Sequence, residues 1–284
     1  MKINKFGTLY IVATPIGNSQ DITLRAIEIL KTVDCIAAED TRYSVQLLHK
    51  FAINTPLLAL HQHNEKLATE PLLARLQQGD SIALISDAGT PLISDPGYVL
   101  VHEARNCGIS VVPIPGACAA IAALSVSGMS AHKFAFEGFL PAKSAARQQA
   151  LIKLQQEFRT MIFYEAPHRV LACLQDMQIV FGPDRQVVLA RELTKMFETV
   201  HAATLAELIA WVEKDANQER GEIVLLLAGC EPELSLGDDL LIDKTLQLLL
   251  DELPLKKAVM LATKLLGKRK NELYQRALDL SAKK

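Results

Sequence analysis

Several features that would place the chain in a large protein class are missing from it. The five cysteines (Cys35, Cys107, Cys118, Cys173 and Cys230) are scattered, odd in number and show no CxxC pair, so neither a disulfide framework nor a zinc site is indicated. Thiols so placed suit a reducing cytoplasm. The first residues carry no apolar signal segment, and no uninterrupted apolar run approaches the ~20 residues of a membrane span. The expectation is a soluble, cytoplasmic protein without membrane or metal. No GxGxxG fingerprint follows the first strand-like run, which argues against a standard Rossmann dinucleotide site. Internal repeats and low-complexity tracts are also missing. A net charge of −2 gives no general reason to expect a polyanionic partner.

What is present reads as a globular α/β protein. With 284 residues, 50% of them hydrophobic, the chain can bury the cores of two domains and still carry an appendage. Strand-like runs at 8–13, 35–38, 57–60, 82–85 and 111–114 alternate with helical patterns at 21–32, 44–51, 67–77 and 98–106, with Asp21 as the expected cap of the first helix. Such alternation predicts a mostly parallel sheet with helices on its faces. A second α/β unit begins near residue 117. It has strands expected at 134–137, 160–164, 187–191, 199–202 and 222–228, helices at 117–127, 169–178 and 205–212, and a basic helix start from Lys143 to Arg147. Proline, glycine and acid accumulate between 229 and 239, which reads as a linker. The expected domains are therefore 1–116, 117–232 and 238–284.

Two stretches organise the chain. IALISDAGTPLISDPG, residues 82–97, is an apolar strand running into a loop rich in turn formers; VVPIPGACAAIAA, residues 111–123, is a strand meeting Pro115-Gly116 and then a small-residue helix. Strand ends of this kind form the rim of a ligand crevice in α/β sheets. Asp87 and Asp95 there either face a ligand or cap turns through their own backbone.

These residues, with Thr14-Pro15-Ile16-Gly17-Asn18, Ala38-Glu39-Asp40-Thr41-Arg42, Pro113-Ile114-Pro115-Gly116, Glu137-Gly138-Phe139-Leu140-Pro141, Phe163-Tyr164-Glu165, Ala190-Arg191-Glu192-Leu193-Thr194-Lys195 and Gly221-Glu222, give the chain a family resemblance. It resembles the tetrapyrrole methylase superfamily and, within it, the small-subunit ribosomal RNA methyltransferase I family. The resemblance covers essentially the whole chain. It implies two α/β domains with S-adenosyl-L-methionine in the cleft between them and a small helical C-terminal domain. The implied activity is 2′-O-methylation of a cytidine in 16S ribosomal RNA, as RNA or as the 30S subunit, by a homodimer. It further implies cofactor contacts at Asp87, Gly89, Thr90, Pro91, Pro115, Ala117, Cys118, Tyr164, Ala166, Ala190, Gly221 and Glu222. Many tetrapyrrole-modifying relatives have a glycine-rich loop where this chain has Thr14 to Asn18, which weakens a tetrapyrrole substrate without touching the cofactor. The competing readings are a small-molecule methyltransferase on the same scaffold and a non-catalytic RNA-binding protein.

Methyl transfer to a ribose hydroxyl draws on positioning and on a base. The candidate bases are Glu39, Asp40, His63, Glu165 and Glu222, with His61 and Glu192 beside them. Glu39-Asp40 follows directly on an apolar strand, so the pair either faces the crevice or holds Arg42. His61 and His63 share a face of extended chain and read equally as a hydrogen-bonded pair.

From 254 to the end, nine basic residues stand against two acids, a net +7, so residues 1–253 carry −9. Apolar residues at helical spacing predict two amphipathic helices joined around Gly267, with a third at 240–250. This face is either merely solvated or drawn to a polyanion. Cations expected to meet RNA are Arg42, Lys143, Arg147, Lys256, Lys257, Lys268, Arg269 and Lys270. The cluster of Lys268, Arg269 and Lys270 at a helix start opposes the helix dipole unless an anion approaches.

Overall fold

A computed structural model describes residues 6–230, 236–268 and 270–282. Arg269, Lys283 and Lys284, with part of the expected linker at 231–235, lie outside the described residues.

The first sheet contains β1 (Thr8–Val12), β2 (Cys35–Ala38), β3 (Leu57–Ala59), β4 (Ile82–Ile85) and β5 (Ser110–Ile114) in the order β3-β2-β4-β1-β5. Every pairing is parallel. The central strands β2 and β4 are buried along their whole length, as continuous apolar runs require when both faces are covered. On one face, α1 (Leu24–Thr32) and α2 (Thr41–Lys50) pack Ala26, Leu30 and Leu48 against Val12, Ile36 and Ile85. On the other, α3 (Glu65–Gln78) and α4 (Tyr98–Asn106) set Leu72, Leu76, Leu100 and Ala104 against Leu9, Cys35 and Leu84. The chain leaves β1 over the first face, passing β4 to reach β2, and leaves β4 over the opposite face, passing β1 to reach β5. The neighbours β1 and β4 are thus the switch point of the sheet, where α/β folds bind ligands outside the strand carboxyl ends.

Two helix starts differ from expectation for capping reasons. Residues Ser19–Asp21 form a 3-10 turn, and Thr23, not Asp21, caps α1 by accepting the Ala26 N–H at 3.1 Å. Helix α2 begins at Thr41, ahead of the expected 44, because the Asp40 side chain accepts the Arg42 N–H at 2.9 Å.

The second sheet has β6 (Phe134–Phe139), β7 (Thr160–Glu165), β8 (Gln186–Arg191), β9 (Thr199–Thr204) and β10 (Ile223–Leu227) in the order β6-β7-β10-β8-β9. Only β6 and β7 pair in parallel; the other pairings are antiparallel. The connection from β7 to β8 still leaves those two strands parallel, and β10, arriving last, slots between them in the reverse direction. Helices α6 (Ser144–Lys153), α7 (Val170–Phe181) and α8 (Leu205–Lys214) cover one face, packing on Met161, Phe163, Val187, Leu189, Leu225 and Leu227. The alternate residues Ile162, Val188, Ala190, Val224 and Leu226 turn to the other face, against α5 (Ala119–Val126), Ile16 and Leu193. That period-2 division is what a sheet buried on both faces imposes.

The chain divides into compact units between Gly229 and Cys230. In the second unit, α9 (Leu236–Glu252), α10 (Leu255–Leu266) and α11 (Lys270–Ala282) close over Ile242, Leu246, Val259, Ala262, Leu273 and Ala277. Arg276 ties α11 to α9 through Asp243, Nε to Oδ1 at 2.6 Å.

Candidate active site

Because the first sheet is parallel, the loops after β1, β2, β4 and β5 leave from one edge. Thr14 and Gly89 exchange backbone hydrogen bonds of 2.8 and 3.1 Å, and Thr14 Oγ1 donates to the Ser86 carbonyl at 3.2 Å. This joins the ends of β1 and β4 at the switch point. The loop after β4 then turns sharply, with Leu92 and Ser94 in the left-handed region at φ +74° and +68°. Each such residue costs ~1–3 kcal/mol and persists only where its surroundings enforce it. Here Glu65 of α3 provides an anchor, its Oε1 accepting the N–H groups of Gly97 and Val99 at 2.9 and 2.8 Å. Thr90 Oγ1 donates to the Ala117 carbonyl at 3.0 Å, linking this loop to the one after β5.

The second sheet supplies the opposite wall. Tyr164 on β7 accepts the Ala120 N–H at its hydroxyl, 3.2 Å, and lies edge-on to Phe136 and Phe139. After β8, Glu192 and Thr194 also take positive φ, +52° and +68°. Glu192 Oε1 accepts from the Glu222 N–H at 2.9 Å and from Lys195 Nζ at 2.8 Å, while Lys195 Nζ lies 3.1 Å from Glu222 Oε2. Thr194 Oγ1 accepts the Asn18 N–H at 3.1 Å. The loop after β8 is thereby fastened to the loop after β1.

Between the walls lies a cavity of about 440 Å³. Its apolar surface includes Ile16, Ala119, Ala190, Leu193 and Val224, and Glu39, Asp87 and Asp95 line it together, the two aspartates within electrostatic reach of Glu39. Burial, then the charges of Asp95 and Asp87, push the Glu39 carboxyl up to about 7. Burial also raises Asp87 and Asp95, opposed in Asp87 by the Asp40 N–H that it accepts at 3.0 Å and in Asp95 by a hydrogen bond from Ser86. The Tyr164 phenol is raised by burial. The cluster therefore favours a cation or a transferable proton.

The sequence-predicted residues divide in the structure. Glu39, Asp87, Gly89, Thr90, Cys118, Tyr164, Ala166, Ala190, Gly221 and Glu222 all line the cavity. Ala117 lies behind the cavity surface, its carbonyl beside Gly89 and Thr90; Pro91 is buried inside its loop, and Pro115 is exposed beyond β5. Neither proline is on the cavity surface.

Four residues stand otherwise than the sequence suggests. Asp40 is engaged twice by Arg42, Nε to Oδ1 at 3.1 Å and Nη2 to Oδ2 at 2.7 Å, which lowers its carboxyl to about 2 and makes it a helix cap rather than a base. Glu165 borders the cavity between Tyr164 and Ala166, but its side chain takes the alternate face of β7 from Tyr164. Its side chain is fully buried, 3.1 Å from Arg169 Nε, and accepts the Ala166 N–H at 2.8 Å, so it is a structural anion. His63 is exposed, 6.1 Å from His61 between ring centres, and off the cavity. Arg147 is 3% exposed and donates to Asp176 at 2.6 Å, so it cannot meet a phosphate.

Of the other expected cations, Arg42 is 89% exposed although paired, and Lys143, Lys256, Lys257 and Lys270 are exposed; Lys268 is half-buried. Asp95 also lines the cavity, and so do Ser94 and Phe139, which were not expected there. The DPG turn at 95–97 and the glycine before Phe139 were the available signals. Among the described residues no cluster of His, Cys, Asp and Glu could hold a metal ion, and no helix is long and apolar enough to cross a membrane.

The sequence profile of the tetrapyrrole (corrin/porphyrin) methylases matches residues 8–209, which takes in both sheets except β10. The chain belongs to this methylase family. A second profile, the RsmI C-terminal HTH domain, matches residues 237–281, the three-helix unit. The protein is 56% identical over 280 residues to the ribosomal RNA small subunit methyltransferase I of Pseudomonas aeruginosa, covering 98% of this chain and 99% of that one. It is 55% identical over 278 residues to the protein of the same name from Escherichia coli O157:H7, covering 97% and 96%. Among solved structures, it is similar to the uroporphyrin-III C-methyltransferase of Thermus thermophilus complexed with S-adenosylhomocysteine. The TM-score is 0.56 and the identity 17%, covering 78% of this chain and 97% of that one. That likeness shows the shared methylase fold.

Proposed function

We propose that this protein is an S-adenosyl-L-methionine-dependent methyltransferase that acts in the cytoplasm on the ribose 2′-oxygen of a cytidine in small-subunit ribosomal RNA. The observation that carries the reading is the cavity at the switch point, whose wall combines apolar surface with Glu39, Asp87 and Asp95. The residues fit the cofactor. The volume suits a ligand of that size, the carboxylates suit a sulfonium cation, and the Gly89 backbone leaves a cradle that a Cβ would crowd against Ile16 at 3.3 Å. Asp87, Gly89, Thr90, Cys118, Ala190 and Gly221 would hold it. When bound, S-adenosylmethionine supplies an electrophilic methyl group.

Glu39 is the residue we assign to the proton. A hydroxyl is a poor nucleophile at neutral pH, and a base is most effective when its pKa lies near the working pH. Glu39, at about 7, meets that condition and Asp40, at about 2, does not. Asp87 and Asp95 stay beside it and keep its proton affinity high. Lys256, Lys257 and Lys270, exposed on the helical unit, offer phosphate contacts that a tetrapyrrole would not need. The relatives named for ribosomal RNA match along that unit as well. We also assign a homodimeric state, supported by Met196 and Phe197, which the β8–β9 connection leaves 89% and 66% exposed; equilibrium sedimentation tests it.

Mass-spectrometric mapping of ribosomal RNA from cells with and without the gene tests the function. A 2′-O-methylcytidine lost from small-subunit RNA on deletion is the expected result. An unchanged methylation map with an altered tetrapyrrole profile would move the assignment to the small-molecule reading.

A further inference from the structure

Strand β6 carries an irregularity with a functional consequence. Phe136 pairs with Ile162 and Gly138 with Phe163, so Glu137 is an extra residue bulged out of the register, and Phe139 falls opposite Tyr164. In an unbroken strand, Phe136 and Phe139 would point to opposite faces. The bulge puts both on the cleft face, flanking Tyr164 with ring centres at 4.9 and 5.6 Å. Bulges re-aim side chains in this way beside active sites. Gly138 makes the turn possible at φ +65°, with Ser94 so near that a Cβ would sit 3.3 Å from its Oγ.

The two rings differ in what they do. Phe136 packs on the apolar cluster beneath α5, whereas Phe139 is 56% exposed at the cavity. Its backbone is nonetheless fixed, because the next residue, Leu140, is buried in the core and its carbonyl accepts from Arg169 Nη2 at 2.6 Å. A large exposed aromatic on a clamped backbone is a preorganised platform. It also stands on the carboxylate side of the cavity: Gly138 abuts Ser94, the neighbour of Asp95, and Asp95 lies within electrostatic reach of both Tyr164 and Glu39.

We infer that Phe139 is the stacking platform for a nucleobase of the RNA substrate, holding the splayed target nucleotide so that its ribose is presented to Glu39. This rests on the methyltransferase reading above and adds to it the residue that grips the acceptor. Single-stranded RNA is recognised by stacking unstacked bases on aromatic side chains, and the interior apolar wall of Ile16, Ala119, Leu193 and Val224 leaves the exposed ring free for that role.

The test compares the wild type with Phe139→Ala, Phe139→Leu and Phe139→Tyr in full-length protein. KM and kcat are measured on small ribosomal subunits from cells lacking the gene, and S-adenosylmethionine affinity is measured by calorimetry. Phe139→Ala and Phe139→Leu should raise the KM for subunits by roughly 5- to 150-fold, the range given by loss of one base–aromatic stack. Cofactor affinity should not change, and Phe139→Tyr should restore the KM. Three results would overturn the inference: an unchanged KM in Phe139→Ala, full function in Phe139→Leu, or a loss of cofactor affinity matching the loss on RNA, which would give the ring to the cofactor's adenine. A wild type that binds S-adenosylmethionine yet methylates no subunit would refute the functional reading itself, and this inference with it.

Discussion

Replacing Glu39 with Gln preserves the shape of the side chain and removes its capacity to accept a proton. With a pKa of about 7, roughly a tenth of the wild-type carboxyls are ionised at pH 6 and about nine tenths at pH 8. Single-turnover methylation should therefore rise about tenfold across that interval and then level off. Glu39→Gln should lose ~10²–10⁴-fold in rate at pH 8 and show no rise. Asp95→Asn should move the wild-type midpoint to lower pH, since Asp95 is the larger of the charges holding Glu39 up. The shift also carries a stability effect of fixed sign. A carboxyl raised from 4.5 to about 7 contributes stability that is fully present below 4.5 and is lost as pH rises through 7. That displacement would be worth roughly 3 kcal/mol if the carboxyl were fully buried; solvent in the half-open cavity reduces this to ~1–2 kcal/mol. The ligand-free Glu39→Gln protein should thus resist urea better than wild type at pH 8, with the difference fading at pH 4. Rapid-quench assays over this pH range decide the matter. A Glu39→Gln enzyme with wild-type rate and an unaltered profile would refute the assignment of the base.

Gly89→Val places a β-branched residue at φ +80° with its Cβ 3.3 Å from Ile16, so calorimetry should show weakened S-adenosylmethionine binding; full affinity in a folded variant would take this loop out of the site. Arg147→Ala leaves Asp176 buried without its partner and should cost ~3–5 kcal/mol in chemical denaturation. The salt dependence of RNA binding by that variant should stay as in wild type, the reverse of what a surface phosphate contact would give. Joint replacement of Lys256, Lys257 and Lys270 with Ala should flatten the slope of log affinity against log salt by ~0.7 for each lost contact with single-stranded RNA. An unchanged slope would leave the helical unit with no electrostatic part in binding.

The first sheet was legible because continuous apolar runs separated by helical spacing have one economical solution, and the carboxyl ends of parallel strands must share an edge. The antiparallel insertion of β10 was not legible: its sequence, Ile223–Leu227, is as uniformly apolar as β4, and direction within a sheet leaves no mark on such a run. In the site, motif residues were legible while side-chain direction was not. Glu39 and Asp40 are neighbours, yet one enters the cavity and the other folds back on Arg42. Tyr164 and Glu165 are likewise adjacent and lie on opposite faces of one strand. Arg147 read as a surface cation because its partner, Asp176, is supplied by another helix. The bulge that turns Phe139 into the cleft leaves only Gly138 as its trace.

The most direct measurement is a transfer assay with the purified full-length chain, S-adenosylmethionine labelled in its methyl group, and small ribosomal subunits from cells lacking the gene, followed by nucleoside analysis of the digested RNA. The account predicts label in a single species, 2′-O-methylcytidine, with negligible transfer by Glu39→Gln. Label on a base carbon or nitrogen, or no label in RNA from an enzyme that binds the cofactor, would contradict it.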